Sequence, residues 1–213
     1  MKNQKSMALL PANLLYTLRE DILTKKYAKG YKLTEQLLCD AYNVSRTPVR
    51  EALRQLEREG MVETIPNRGA FVLDFSDQDM RDMFDLRKSY EIQAVKWAIE
   101  RITDEELDAL EETFEFMEFY TQKNDIEKML NINTNFHQLI YTASRNKMLQ
   151  NILSLYQLYI KHSHINKHYN DKYLPALLAE HRQIFDAFKI KDTDLAVSAT
   201  IEHMDNSIKR FDD

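Results

Sequence analysis

Residues 43–60, NVSRTPVREALRQLEREG, decide how the first third of the chain folds. Val49, Ala52, Leu53 and Leu56 recur at helical spacing and form one apolar face. Arg46, Arg50 and Arg54 follow one another at i, i+4 and i+8 along a different face. Ser45 or Thr47 is placed to cap the start, and Gly60 stands where a left-handed residue commonly ends a helix. The spacing predicts a helix over 46–59. Its row of guanidinium groups suits duplex DNA, because arginine can bond guanine O6 and N7 with two parallel hydrogen bonds or clamp a phosphate, and a helix fits the major groove. The same row suits a solvated face whose arginines pair with Glu51 and Glu57, so the charges alone leave both readings open.

Working outward, the pattern predicts helices over 10–26 and 34–41 before this segment. After it the period changes. MVETI (61–65) and GAFVLDF (69–75) are rich enough in β-branched and aromatic residues for strands, and PNRG between them holds Pro66, Asn67 and Gly69 for a turn. Three helices followed by a small β-hairpin is the order of a winged helix-turn-helix domain, expected over 1–75.

Beyond DFSDQD (74–79) the punctuation is different. All three glycines lie in the first third, and from Ala70 to Asp213 there is one proline, Pro175, and no glycine. Such a stretch predicts long helices joined by short polar loops, because glycine supplies the positive-φ positions of tight turns. Six helices are expected, near 77–101, 104–121, 125–143, 147–165, 174–190 and 193–210. Thr103 with Glu106 forms a capping box, and Pro175 suits a first turn. The fold class expected is mostly α, with an all-helical bundle over 76–213.

Charge separates the halves further. The whole chain carries a net −5, which taken alone argues against nucleic acid. Residues 1–75 hold 12 Lys and Arg against 9 Asp and Glu, a net +3; residues 76–213 hold 17 against 25, a net −8. The positive charge is thus concentrated where phosphate binding requires it. No apolar run approaches the roughly 18 residues of a membrane helix, and MKNQKSMALLPANLLY lacks a cleavage site, so a cytoplasmic protein is expected. The single cysteine, Cys39 in LLCDAYNV, reads as a packed thiol.

Three histidines of the second part, His137, His181 and His203, lie on apolar-lined helix faces. They make no local metal motif, and spacing alone favours hydrogen-bonded core histidines, since three different helices need not bring them together. Arg87 shares a stripe with Met83, Tyr90 and Ala94, an unusual place for a permanent cation. It reads either as a pocket group holding a carboxylate, with Tyr90 beside it, or as a helix pair with Glu91. His162, His164 and His168 in KHSHINKH read as a surface patch, and LEETFEFMEFY (110–120) as core and dimer surface.

SRTPVREALRQLEREGMV (45–62) followed by PNRGAFV (66–72) resembles the reading head of the GntR family, of the FadR type, over residues 9–75. The resemblance implies that Arg46, Thr47 and Arg50 meet DNA and that Asn67, Arg68 and Gly69 enter the minor groove. Gln36 stands where some members place a contacting arginine. Ser45 at the helix start and Arg54 further along are the remaining DNA candidates. NTNFHQLIYTASRNKML (133–149), AEHRQIFDAFKIKDTDLA (179–196) and EHM (202–204) are similar to three landmarks of the FadR C-terminal domain. They carry over His137, His181 and His203 as ligands of a divalent metal ion, Zn, Ni or Mn. The usual fourth ligand is an aspartate one turn before the first histidine; here it is Asn133, whose amide oxygen is a neutral, weaker ligand. A metal-free pocket is the alternative. The bundle of six helices looks closer to the VanR subgroup than to FadR itself.

The expectation is therefore a homodimeric regulator, a repressor in the family's common pattern, on a pseudo-palindromic operator. A small organic acid bound in the helical half would modulate it. A metal-dependent enzyme is the rival class, and it fares poorly because no carboxylate or nucleophile sits at a recognisable catalytic spacing.

Overall fold

The computed structural model describes residues 11–66, 68–162 and 173–212, which divide into two compact units, 1–76 and 77–213. The first contains α1 (Pro11–Leu23), β1 (Lys32–Leu33), α2 (Glu35–Tyr42), α3 (Arg46–Arg58), β2 (Val62–Ile65) and β3 (Gly69–Val72). Leu14, Leu18 and Ile22 put one face of α1 into the core, where they join Val49, Ala52 and Leu56 of α3. Thr34 caps α2, its hydroxyl accepting the Leu37 N–H at 3.2 Å. Arg19 of α1 closes on Glu59 just beyond α3 through two hydrogen bonds, at 2.7 and 2.5 Å, fastening those helices together.

The end of α3 follows from its sequence. Gly60 takes φ 71°, its N–H bonds the Glu57 carbonyl, and the Met61 N–H reaches back to the Leu56 carbonyl. The side chains of Met61 and Leu56 are both fully buried, so the reversal is held by apolar burial as well as by backbone bonds. Two elements differ from the sequence expectation. Helix α1 stops at Leu23 rather than 26, because Lys25 turns left-handed at φ 62°. The expected hairpin is a three-stranded antiparallel sheet of order β1-β3-β2, in which Lys32 and Leu33 pair with Phe71 and Ala70. A two-residue strand carries no alternation to read.

The second unit is built from α4 (Asp77–Arg101), α5 (Asp104–Gln122), α6 (Ile126–Ala143), α7 (Lys147–His162), α8 (Tyr173–Lys189) and α9 (Thr193–Asp212). The Thr103–Glu106 capping box is present, and Pro175 falls in the first turn of α8. Phe114 of α5 stacks on Phe185 of α8 at 5.1 Å and meets Phe136 of α6 edge-on, the centre of a core that α4 and α9 complete. Without glycine, α5, α6 and α8 are followed by left-handed Asn124, Arg145 and Lys191. The tail of the expected 147–165 helix, and His164 and His168 with it, lie outside the described residues. No helix of the described residues is long and apolar enough to cross a membrane.

Replacing Gly60 by alanine forces a side chain into the left-handed region, where nothing crowds it but the backbone itself is strained. A loss of about 1 kcal/mol is expected in urea denaturation. An unchanged midpoint would show that the reversal is not strained.

Candidate functional site

Helix α3 presents Ser45, Arg46, Thr47, Arg50 and Arg54 on an exposed face. Ser45 occupies the N-cap position, but its hydroxyl accepts no backbone N–H, contrary to the capping role expected of it. The arginines do not pair with Glu51 or Glu57. Arg50 Nε bonds Glu35 Oε1 at 2.6 Å, and Arg46 Nη2 donates to Gln36 Oε1 at 3.3 Å. Gln36 in turn donates to Asp40 at 2.9 Å. The hydrogen bond from Arg50 holds the Glu35 carboxyl below its ordinary range. Glu57 accepts the Thr64 N–H at 3.0 Å and so anchors the wing to the helix.

Between α3 and the sheet runs a groove of about 580 Å³ lined by Lys32, Arg50, Arg54 and Arg68 against Glu35 and Glu57. Arg68 is exposed, its guanidinium 6.0 Å from the Phe71 ring centre. Gly69 has φ 102°, a backbone angle that favours glycine, and a Cβ there would stand 3.3 Å from Lys32 Cε. Asn67 lies outside the described residues. Lys32 and Glu35 were not singled out from sequence; only the strand β1 and the cap of α2 place them here.

In the helical unit, His137 of α6, His181 of α8 and His203 of α9 converge, their ligand atoms all within 4.8 Å of one another and all three buried. His181 Nε2 and His137 Nε2 are 3.2 Å apart. The His181 Nδ1 lies 2.7 Å from the Leu177 carbonyl, and only an N–H can face a carbonyl, so its Nε2 carries a lone pair directed at His137. His203 Nδ1 lies 2.9 Å from Glu180 Oε2, leaving its Nε2 for the interior. A ring nitrogen anchored to a carboxylate or carbonyl, with the other ring nitrogen freed, is the arrangement that orients imidazole ligands.

Two ion pairs flank the triad, one partly buried and one fully buried. Glu180 accepts both terminal nitrogens of Arg210, at 2.7 and 2.8 Å, and the Asn206 amide at 3.0 Å. Glu91 of α4 receives Arg87 Nε at 3.0 Å and the Tyr141 hydroxyl, all on Oε1, while its Oε2 lies 3.7 Å from His137 Nδ1. Arg87 thus faces inward as its stripe suggested, and its guanidinium bonds Glu91, one turn along, in the helix pair that was the alternative to a pocket group. Tyr90 is half-buried, its ring 6.1 Å from that of Tyr156. Burial alone would raise Glu91 and Glu180, yet Arg87 and His137 beside one and Arg210 and His203 beside the other hold each at about 2. Burial and the neighbouring imidazoles push His181 well down. Burial also takes His203 to about 4, against the pull of Glu180. His181 and His203 are therefore neutral near pH 7, the form a metal requires.

The residues fit a divalent ion. Asn133 Oδ1 and His137 Nδ1 are buried without a hydrogen-bond partner, and the lone pair of His181 Nε2 meets His137 Nε2 at 3.2 Å. Buried polar atoms are nearly always satisfied, so this cluster of exceptions calls for a ligand.

A winged helix-turn-helix unit with an exposed arginine row, joined to a helical unit with three buried, converging imidazoles, is the arrangement of a DNA-binding transcription regulator. The chain belongs to the GntR family of bacterial regulatory proteins: that family's model matches residues 13–72, and the FCD domain matches residues 82–206. It is 28% identical over 196 residues to the HTH-type transcriptional regulator YdhC of Bacillus subtilis (strain 168), covering 91% of this chain and 87% of the relative. It is 26% identical over 193 residues to the HTH-type transcriptional repressor RspR of Escherichia coli (strain K12), covering 88% and 82%. The solved structure of E. coli McbR/YncC shares the fold with a TM-score of 0.79 at 23% identity, over 96% of this chain and 98% of that one.

The depressed His203 sets a pH dependence. Below its ordinary 6.5 the unfolded chain takes up a proton that the folded imidazole refuses until about 4, so a contribution to stability present above 6.5 is lost as the pH falls through that window. Metal-free protein is expected to lose more stability between pH 7 and 4 than the His203→Gln variant. Parallel urea curves across that range would contradict it.

Proposed function

We propose that the protein is a homodimeric repressor whose operator binding is modulated by a small carboxylate bound with a divalent metal ion in the helical unit. The observation that carries the sensing half is the convergence of three buried imidazoles beside buried polar atoms that lack a hydrogen-bond partner. His137, His181 and His203 would hold the ion, with the Asn133 amide oxygen as a weaker fourth donor. A Zn, Ni or Mn ion would supply positive charge to which a carboxylate can bond. Glu180 and Leu177 orient two of the imidazoles, and Tyr90 stands nearby on α4.

The reading half assigns Arg46, Thr47 and Arg50 to base edges in the major groove, with Ser45 and Gln36 beside them. Arg54, further from the helix start, is assigned to phosphate, and Asn67, Arg68 and Gly69 to the minor groove. Two such heads on one dimer read two half-sites whose spacing the dimer sets. An effector that binds one arrangement of the heads better than another shifts the population, and misplaced heads lose the gain of binding together.

Selection of genomic DNA on the purified protein, followed by gel-shift titration, tests the reading head. Arg50→Ala is expected to cost about 1 to 3 kcal/mol of discrimination between operator and random DNA, and Arg54→Ala to weaken both alike. Equal discrimination by Arg50→Ala and the parent would remove Arg50 from base readout. Metal analysis after dialysis against each ion tests the sensor: His181→Ala is expected to abolish a stoichiometric ion, and retention by that variant would dissolve the assignment.

A further inference from the structure

The groove between α3 and the sheet holds more positive charge than its own carboxylates answer. Lys32, Arg50, Arg54 and Arg68 line it against Glu35 and Glu57, four cations to two anions, a surplus of two. Both carboxylates are already engaged: Glu35 accepts Arg50 Nε at 2.6 Å, and Glu57 accepts the Thr64 N–H at 3.0 Å. Lys32, Arg54 and Arg68 are exposed, and none of them forms an ion pair with a described residue. Cations gathered along one groove without counter-charge raise the local concentration of anions there.

Lys32 reaches the groove because of where strand pairing puts it. It lies opposite Phe71 in the β1–β3 ladder, so the two side chains share a face of the sheet. A Cβ on Gly69 would stand 3.3 Å from Lys32 Cε and 3.9 Å from its Cγ. The lysine stem therefore runs from β1 across the bare glycine toward the wing. Arg68, next to Gly69, brings its guanidinium within 6.0 Å of the centre of the same Phe71 ring. The two cations thus stand on the wing side of the groove, facing Arg50 and Arg54 on the helix side.

We infer that Lys32 is a further DNA contact, binding a backbone phosphate that lies over this groove. The inference rests on the reading proposed above, with α3 in the major groove and the wing in the adjacent minor groove, and adds what lies between them. Two adjacent grooves of a duplex are separated by one sugar-phosphate strand, and that strand crosses the space between α3 and the wing. An ammonium is a compact point charge with three donors and no planar fork, which suits a phosphate oxygen better than a base edge. Such a contact carries no sequence information. It fixes the register of helix and wing on the duplex and adds equally to the affinity for operator and random DNA.

The test is gel-shift titration of the full-length protein over a series of KCl concentrations, on the operator recovered by genomic selection and on a random duplex. Lys32→Gln is expected to reduce the slope of log affinity against log salt by about one on both duplexes. The ratio of the two affinities is expected to stay at the parent's value, and Lys32→Arg to restore the slope. A parent-like slope in Lys32→Gln overturns the inference, and so does a loss confined to the operator, which would make Lys32 a reader of bases. Arg50→Ala, measured alongside, separates the two assignments: undiminished discrimination strikes the reading of α3, whereas lost discrimination there with a parent-like slope in Lys32→Gln strikes the lysine alone. Calorimetric titration with inorganic phosphate in the absence of DNA covers the other source of the anion. No saturable binding is expected; stoichiometric uptake that Lys32→Gln abolishes would assign the groove to the free ion instead.

Discussion

Among the described residues the interior obeys one constraint: a charge is buried only where an opposite charge meets it in hydrogen-bonding geometry. Arg19 and Glu59 join the first helix to the end of the third in the reading unit. Arg87 with Glu91, and Arg210 with Glu180, do the same on two sides of the helical unit. Removing one member of such a pair leaves the other desolvated, which costs far more than the pair contributes. These pairs also fix direction. Because Glu180 is held by Arg210 and Asn206, it can hold His203; because Glu91 is held by Arg87 and Tyr141, its second oxygen faces His137.

The two units treat arginine in opposite ways, and the difference tracks their tasks. On α3 the guanidinium groups stand in water, and Arg50's partner Glu35 is itself partly exposed, so the pair is weak and exchangeable. A phosphate or a guanine edge can compete for such a group. Inside the helical unit Arg87 and Arg210 are paired with carboxylates, and burial pushes the His181 and His203 imidazoles toward the neutral form.

Much of the architecture was legible in the sequence because periodicity survives folding. The apolar faces of α1 and α3, the reversal at Gly60 and the capping box at Thr103 are local, and each is found where its residues put it. Strand β1 was not legible, since Lys32 and Leu33 become a strand only by pairing with Phe71 and Ala70, some forty residues away. Nor were the helix ends at Asn124, Arg145 and Lys191 marked by glycine; bonds back into the preceding helix, such as Asn124 N–H to Thr121, hold these residues left-handed. At the candidate site, resemblance named the three histidines, whereas spacing alone did not distinguish ligands from core residues.

By itself the sequence determined the order of elements, the positive reading head and the inward stripe that carries Arg87, because these depend on neighbours within a turn or two. Only the tertiary structure decided that His137, His181 and His203 meet, that Glu180 and Leu177 orient two of them, and that Arg87 is consumed by Glu91 instead of left open. Three imidazoles on separate helices converge only when α6, α8 and α9 pack side by side. A guanidinium on a helix can turn to its neighbour or to another helix, and what settles it is the burial of both partners with Tyr141 bonded to the same carboxylate, which no linear spacing records.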